Sequence, residues 1–230
     1  MIFKRKLQIL VVGAIFLAVC VLSWKNVHLT TQPVLAAQTE KAGPALPPPG
    51  TYTIDPIHTF AYFGAWHHVV GLVRGRFDKV TGTITVAQDP AACSVDITID
   101  AATISTQFGE RDKDLRGPDF FDVKRFPTMS YHGRGIRPAS DDSWTLDGAL
   151  TVRDVTKDVP LTFTFKGLFP DTKPGRPARA AFHSSAGVRR GDFAMTRDNL
   201  MELGVNPPPR PDVTIEIDVE ADAATSKHAS

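Results

Sequence analysis

Two pairs of carboxylates, Asp112 with Asp114 and Asp119 with Asp122, stand within one short stretch, Glu110-Arg-Asp-Lys-Asp-Leu-Arg-Gly-Pro-Asp-Phe-Phe-Asp122. Paired acids do general acid–base work when their surroundings push the two pKa values apart. Here Arg111, Lys113, Arg116, Lys124 and Arg125 are interleaved with them, which reads as solvated or ion-paired acids, and no catalytic residue is assigned. The histidines offer no ligand spacing for a metal. His67 and His68 are adjacent and face opposite sides of a strand, while His58, His132 and His183 are scattered singly. No glycine-rich phosphate loop, no GxGxxG after a strand and no GxSxG elbow is present, so neither a cofactor nor a metal is expected. Four arginines, Arg74, Arg76, Arg189 and Arg190, lie in or near strand-like segments. They read either as solvent-facing sheet charges or, at a barrel mouth, as partners for an anionic head group.

The elements that must position these residues are mostly strands. Alternation places Phe60, Tyr62, Gly64 and Trp66 on one face, and it recurs at Val80/Ile84/Val86 and Val95/Ile97/Ile99. It recurs again at Trp144/Leu146/Leu150/Val152, Leu161/Phe163/Phe165 and Val213/Ile215/Ile217/Val219. Each pattern predicts a half-buried antiparallel strand. Turn residues such as Thr81-Gly82, Gln88-Asp-Pro90 and Asp141-Asp-Ser143 separate them. Short helices are expected at residues 110–116, stopped by Gly117-Pro118, and at 198–203. The first of these feeds Phe120, Phe121 and Phe126, an aromatic plug that packs the helix onto the sheet. Many strands with short connections predict a meandering barrel or a sandwich. A barrel of eight strands is either filled by its own side chains or holds one apolar ligand.

Outside this domain the chain changes character. Lys4-Arg-Lys6 precede an apolar run from Ile9 to Leu22, the pattern of a signal peptide or of an uncleaved N-terminal anchor over residues 1–37. Val34-Leu-Ala-Ala37 is the candidate cleavage site, and Cys20 after Leu17-Ala-Val19 is a poor lipobox. Either outcome exports the downstream domain, because the basic residues stay cytoplasmic. Residues 38–50, with Pro44-Ala-Leu-Pro-Pro-Pro49, read as an extended linker outside the sheet. A barrel domain is expected over 51–222 and a polar tail over 223–230. Cys93 is alone in that domain and reads as a small buried residue, with no disulfide to make. Beyond residue 37 there are 22 basic and 25 acidic residues, which argues against nucleic-acid binding.

Three stretches together are specific. Tyr52-Thr-Ile-Asp-Pro-Ile-His58 leads to Gly71-Leu-Val-Arg-Gly-Arg-Phe77; Arg111-Asp-Lys-Asp-Leu-Arg-Gly-Pro-Asp-Phe-Phe-Asp-Val-Lys-Arg-Phe-Pro-Thr128 follows; Gly148-Ala-Leu-Thr-Val-Arg-Asp-Val-Thr-Lys-Asp-Val159 comes later. On these, the chain from Thr51 to Ala221 resembles the YceI-like family. The resemblance implies an all-β fold, an eight-stranded antiparallel lipocalin-like barrel with one or two short helices. It also implies an exported, periplasmic or secreted protein that works close to a membrane, alone or as a homodimer. The implied ligand is a long isoprenoid lipid, polyprenyl or quinone-like, held inside the barrel for carriage, storage or sensing. Its expected apolar lining is Phe60, Tyr62, Trp66, Ile97, Ile99, Phe120, Phe121, Leu146, Leu161, Phe163 and Phe165, with Arg74 and Arg190 toward the head group. Asp114 and Gly117 stand where the family often has histidine and serine, and these departures bear on the rim rather than the fold. Two other readings stay open: a redox or enzymatic accessory acting on a bound isoprenoid quinone, and a filled barrel serving as an interaction module.

Overall fold

The computed structural model describes residues 44–67, 71–170, 176–195 and 211–224. The basic and apolar N-terminal segment, His68, the helix expected at 198–203, the 206–210 lead-in and the tail beyond residue 224 lie outside the described residues. The strands are β1 (Gly50–Ile54), β2 (Phe60–His67), β3 (Gly71–Phe77), β4 (Val80–Val86), β5 (Ser94–Asp100) and β6 (Ile104–Ser105). They continue with β7 (Thr128–Pro138), β8 (Trp144–Val152), β9 (Val155–Asp158), β10 (Leu161–Phe169), β11 (Arg179–Val188) and β12 (Val213–Ala223). The α-helix among the described residues is α1 (Gly109–Arg116).

Eight strands close an antiparallel ring, β1-β4-β5-β7-β8-β10-β11-β12 and back to β1. Closure leaves the ring no open edge. β12 makes this geometry because it serves two partners along its length. Residues 213–218 pair with β2, and Ala221, Asp222 and Ala223 pair with β1. One end of the wall is therefore built from β1 and β4. At the other end β2 carries β3, and β3 carries β6. The alternation of β12 fits this use: Ile217, Val219 and Ala221 are buried, and Thr214, Glu216 and Asp218 are exposed.

The helix covers the outer edge at β6, and hydrogen bonds rather than an apolar stripe hold it there. Asp112 is buried, and its Oδ1 accepts from the Thr106 backbone N–H at 2.8 Å and from the Thr106 hydroxyl. Arg116 donates to Ala102 O (2.8 Å) and Ile104 O (2.6 Å). The solvated reading of the Asp112/Asp114 pair is thus corrected for Asp112, which spends its charge on a buried backbone donor; Asp114 is exposed. Gly117 ends the helix by donating its N–H to Asp114 O at 2.9 Å. A Cβ there would stand at the same 2.9 Å from Asp114 O, so close approach is what selects glycine.

The proline-rich stretch behaves differently from a free linker. Gly50 opens β1 opposite Val86, Pro44 and Pro47 are buried, and Leu46 packs against the core. The Tyr52 hydroxyl donates to Pro48 O at 2.7 Å. Prolines have no N–H to leave unsatisfied, so this stretch loses little by being buried without sheet partners.

Candidate ligand-binding cavity

Two apolar cavities occupy successive stretches of the barrel interior. The larger encloses about 1080 Å3 of non-atom space and the smaller about 600 Å3, open solvent included in both. They share Ile97 and Leu161 as common wall. The larger lies at the end built by β2, β3 and α1. Ala61, Phe63, Ala65, Phe77, Ile99 and Ile104 line it together with Leu150, Val152, Phe193, Ile215 and Ile217, the last two beside Phe63 and Ala61 on the paired strand. The smaller lies where β1 begins, among Leu46, Ile84, Val86, Val95, Ile136, Leu146, Phe163, Phe182 and Val219.

The residues singled out by sequence fall into three groups. Tyr62, Ile97, Ile99, Phe120, Phe121 and Leu161 line the larger cavity, while Leu146 and Phe163 join Ile97 and Leu161 on the smaller. Phe165 lies off both linings and stacks obliquely on Phe182, ring centres 5.7 Å apart. Phe60 and Trp66 sit on neither cavity: Trp66 is exposed, and Phe60 carries the Arg76 guanidinium 4.6 Å above its ring. For β2 the expected inward face is corrected, because Ala61, Phe63 and Ala65 point to the cavity. Both faces of this strand hold aromatics, so size could not tell them apart. The small alanines leave the space, and the Arg76 guanidinium covers the outer Phe60 ring.

The expected plug divides in the same way. Phe121 meets Phe77 edge-on at 5.4 Å, and Phe77 meets Phe63 at 5.7 Å, so a ladder of rings links the helix to β2. Phe126 lies outside, between the guanidinium groups of Arg125 and Arg153 at 5.0 and 5.5 Å.

Polar groups on the larger cavity are few. Among the described residues its ionisable side chains are Tyr62, Tyr131 and Arg190. Arg190 is held from both sides of one carboxylate: its Nε donates to Asp212 Oδ2 at 2.8 Å and its backbone N–H to Asp212 Oδ1 at 2.9 Å. Arg74 is absent from the cavity lining and belongs to a neighbouring polar depression with Arg76, Ser105 and Gln107, which Tyr62 also borders. His58, His67, Asp112 and Asp114 line neither cavity. His58 belongs instead to a cluster at the seam between β11, β12 and the turn after β1. Its Nδ1 is 2.8 Å from Asp55 Oδ2 and 4.0 Å from Glu220 Oε2. The Arg179 guanidinium reaches the same two oxygens at 2.9 Å each and Asp222 Oδ1 at 2.7 Å, so the positive charge between these carboxylates is arginine. His132 and His183 pair with Asp96 and Asp218 on the outer surface, each at 2.7 Å.

Several lining residues carried no signal of their own in the sequence. Ala61 and Ala65 became legible only once the pairing of β2 with β12 fixed which face they share, and Met129 and Phe193 only once the fold brought β7 and the turn after β11 to the cavity.

The comparisons agree with this architecture. The family described as the YceI-like domain matches residues 52–221. A UPF0312 protein of Pseudomonas paraeruginosa is 34% identical over 142 residues, which cover 61% of this chain and 73% of that one. The crystal structure of the Campylobacter jejuni YCEI protein superposes with a TM-score of 0.57 at 25% identity, covering 70% of this chain and 90% of that one. A polyisoprenoid-binding domain from Saccharophagus degradans, described as implicated in plant cell wall breakdown, has a TM-score of 0.55 at 14% identity. The match covers 75% of this chain and 98% of that domain, and shows the shared fold.

Proposed function

This chain belongs to the YceI-like family, and on that premise we propose that it is an exported binding protein that carries one long isoprenoid chain, polyprenyl or quinone-like, inside its barrel. The observation that carries the reading is the pair of apolar cavities meeting at Ile97 and Leu161. A linear hydrocarbon is the shape that fills such a pair end to end. Each methylene buried is worth about 0.8 kcal/mol, so a long chain binds tightly without polar contacts. Tyr62 and Arg190 supply the polar groups toward which a head group would turn. The polyisoprenoid-binding description of the Saccharophagus degradans domain supports the same ligand class. Binding rather than catalysis is the activity proposed, because among the described residues the histidines and acid pairs lie off the cavity linings. Export, by cleavage or with the N-terminal segment retained as an anchor, belongs to the same proposal and places the barrel beside its lipid source.

Organic extraction of the purified full chain followed by mass spectrometry tests it directly. An isoprenoid is expected in the extract, and a stripped protein is expected to take up added polyprenol. Ala65→Trp, which projects a large ring into the larger cavity, is expected to lose uptake at least tenfold. A stripped wild-type barrel that takes up no polyprenol would refute the reading.

A further inference from the structure

We propose that the proline-rich segment ahead of β1 is a stopper for the inner end of the barrel, and that Leu46 sets how long an isoprenoid chain the barrel accepts. This rests on the isoprenoid reading above and adds a length-determining residue to it. Leu46 lines the smaller cavity together with Phe163, Phe182 and Val219 while belonging to no strand. It is held there from both sides. Pro44 and Pro47 are buried, and the Tyr52 hydroxyl grips Pro48 O at 2.7 Å. The prolines restrict the backbone, so the segment loses little conformational freedom by staying in place. On this proposal a chain that reaches from the larger cavity past the shared wall of Ile97 and Leu161 into the smaller one ends against the Leu46 side chain. A leucine supplied by a flanking segment can be resized without disturbing any strand of the ring, which makes it a suitable gauge.

The physical signature is a limit on chain length. Each methylene that finds room tightens binding about fourfold, and one that finds none does not. The test is equilibrium binding of polyprenyl alcohols of increasing length to the full chain and to three variants. In the wild type, affinity is expected to climb with length and then level off. Leu46→Ala is expected to move that plateau out by at least one isoprene unit, and Leu46→Trp to move it in. Tyr52→Phe keeps Leu46 and releases its anchor; it is expected to shift the plateau outward by less than Leu46→Ala does. Short alcohols, held in the larger cavity alone, are expected to bind all four proteins within about twofold.

A plateau at the same length in every protein would overturn the proposal and leave the isoprenoid reading standing. Equal loss of affinity at every length in both Leu46 variants would also overturn it, since Leu46 would then be packing only. A wild-type protein that binds no polyprenol at all would overturn both. Should Leu46→Ala fail to fold, Leu46→Trp and Tyr52→Phe still give opposite expected shifts.

Discussion

Tyr131 shows how single residues shape the interior. Its ring lies along the inner wall where β7 meets β8, over two glycines that have no side chain to displace it. A Cβ on Gly148 would stand 2.6 Å from Tyr131 Cζ and 2.8 Å from Gly133 Cα, too close for either to remain. The hydroxyl donates to Val159 O at 3.0 Å. Burial, reinforced by the negative charge of Asp147, pushes its pKa far above the ordinary tyrosine value, so it stays a neutral donor. Tyr131→Phe keeps the ring and loses one hydrogen bond, an expected cost of about 1 kcal/mol in urea denaturation. Gly148→Ala forces ring or backbone to move and is expected to cost more, about 1–3 kcal/mol. A neutral Gly148→Ala would show that the ring does not need this space. Neither glycine advertised this in the sequence, where Gly148 interrupts an otherwise clear alternation. The same blindness reversed the faces of β2. Hydrophobic size marks burial, but a cavity is lined by what leaves room, and Ala61 and Ala65 carry almost no signal.

At the scale of elements, the ring closes where β12, paired with β11 on one edge, passes from β2 to β1 on the other, and Arg179 gathers three carboxylates there. Its contacts to Asp55, Glu220 and Asp222 join the two strands to the turn after β1. Burial pushes the Asp55 carboxyl up. The hydrogen bonds from the His58 ring and the Ile57 N–H, with the Arg179 charge, outweigh it and hold the group below its ordinary value. A carboxyl whose folded pKa is depressed contributes stability above its unfolded value of about 3.9, and that contribution is lost as pH falls through the folded value. Arg179→Ala is expected to cost about 2 kcal/mol at neutral pH. It should also shift acid unfolding, followed by circular dichroism, to higher pH. Asp55→Asn removes the titrating group and should flatten the acid limb; an unchanged limb in both variants would detach the seam from acid stability. At the opposite edge, Asp112→Ala leaves the Thr106 N–H buried without its acceptor, an expected loss of about 2 kcal/mol. Hydrogen exchange at Ile104 and Ser105 should rise with it, and protection equal to wild type would mean α1 is held by other contacts.

The legibility of these elements followed their composition. β4, β5, β8, β10 and β12 alternate large apolar with polar residues and were readable. β11 points Ala180, Phe182 and Ser184 inward, a set too small and polar to stand out. β7 contains Gly133, Gly135 and Pro138, which read as turn punctuation, and its ladder does shift register between Gly133 and Ile136. The clamp at Asp112 was hidden because its acceptor role depends on a backbone N–H six residues away, which only the fold brings near.

For the whole molecule, side chains that line two cavities have no protein neighbours on the cavity side, where a packed core would supply contacts. Filling the cavities should therefore stabilise the ring as well as house the ligand, and the two effects are linked through mass action. A ligand that binds the folded state alone, present at a hundred times its Kd, adds about 2.7 kcal/mol. For a domain of this size each kcal/mol raises Tm by about 2–4 °C, so polyprenol at that excess should raise it by about 5–10 °C. Ala65→Trp narrows the larger cavity with its own ring and should strongly reduce the shift. The shift should also follow chain length with the plateau set at Leu46, because methylenes that find no room add no stability. A Tm that rises equally in the wild type and in Ala65→Trp would place the lipid outside the barrel, on the surface that exposes Trp66 and Leu72. Stabilisation that depends on the space at Ala65 and stops at the length Leu46 allows would require the chain to run the length of the barrel.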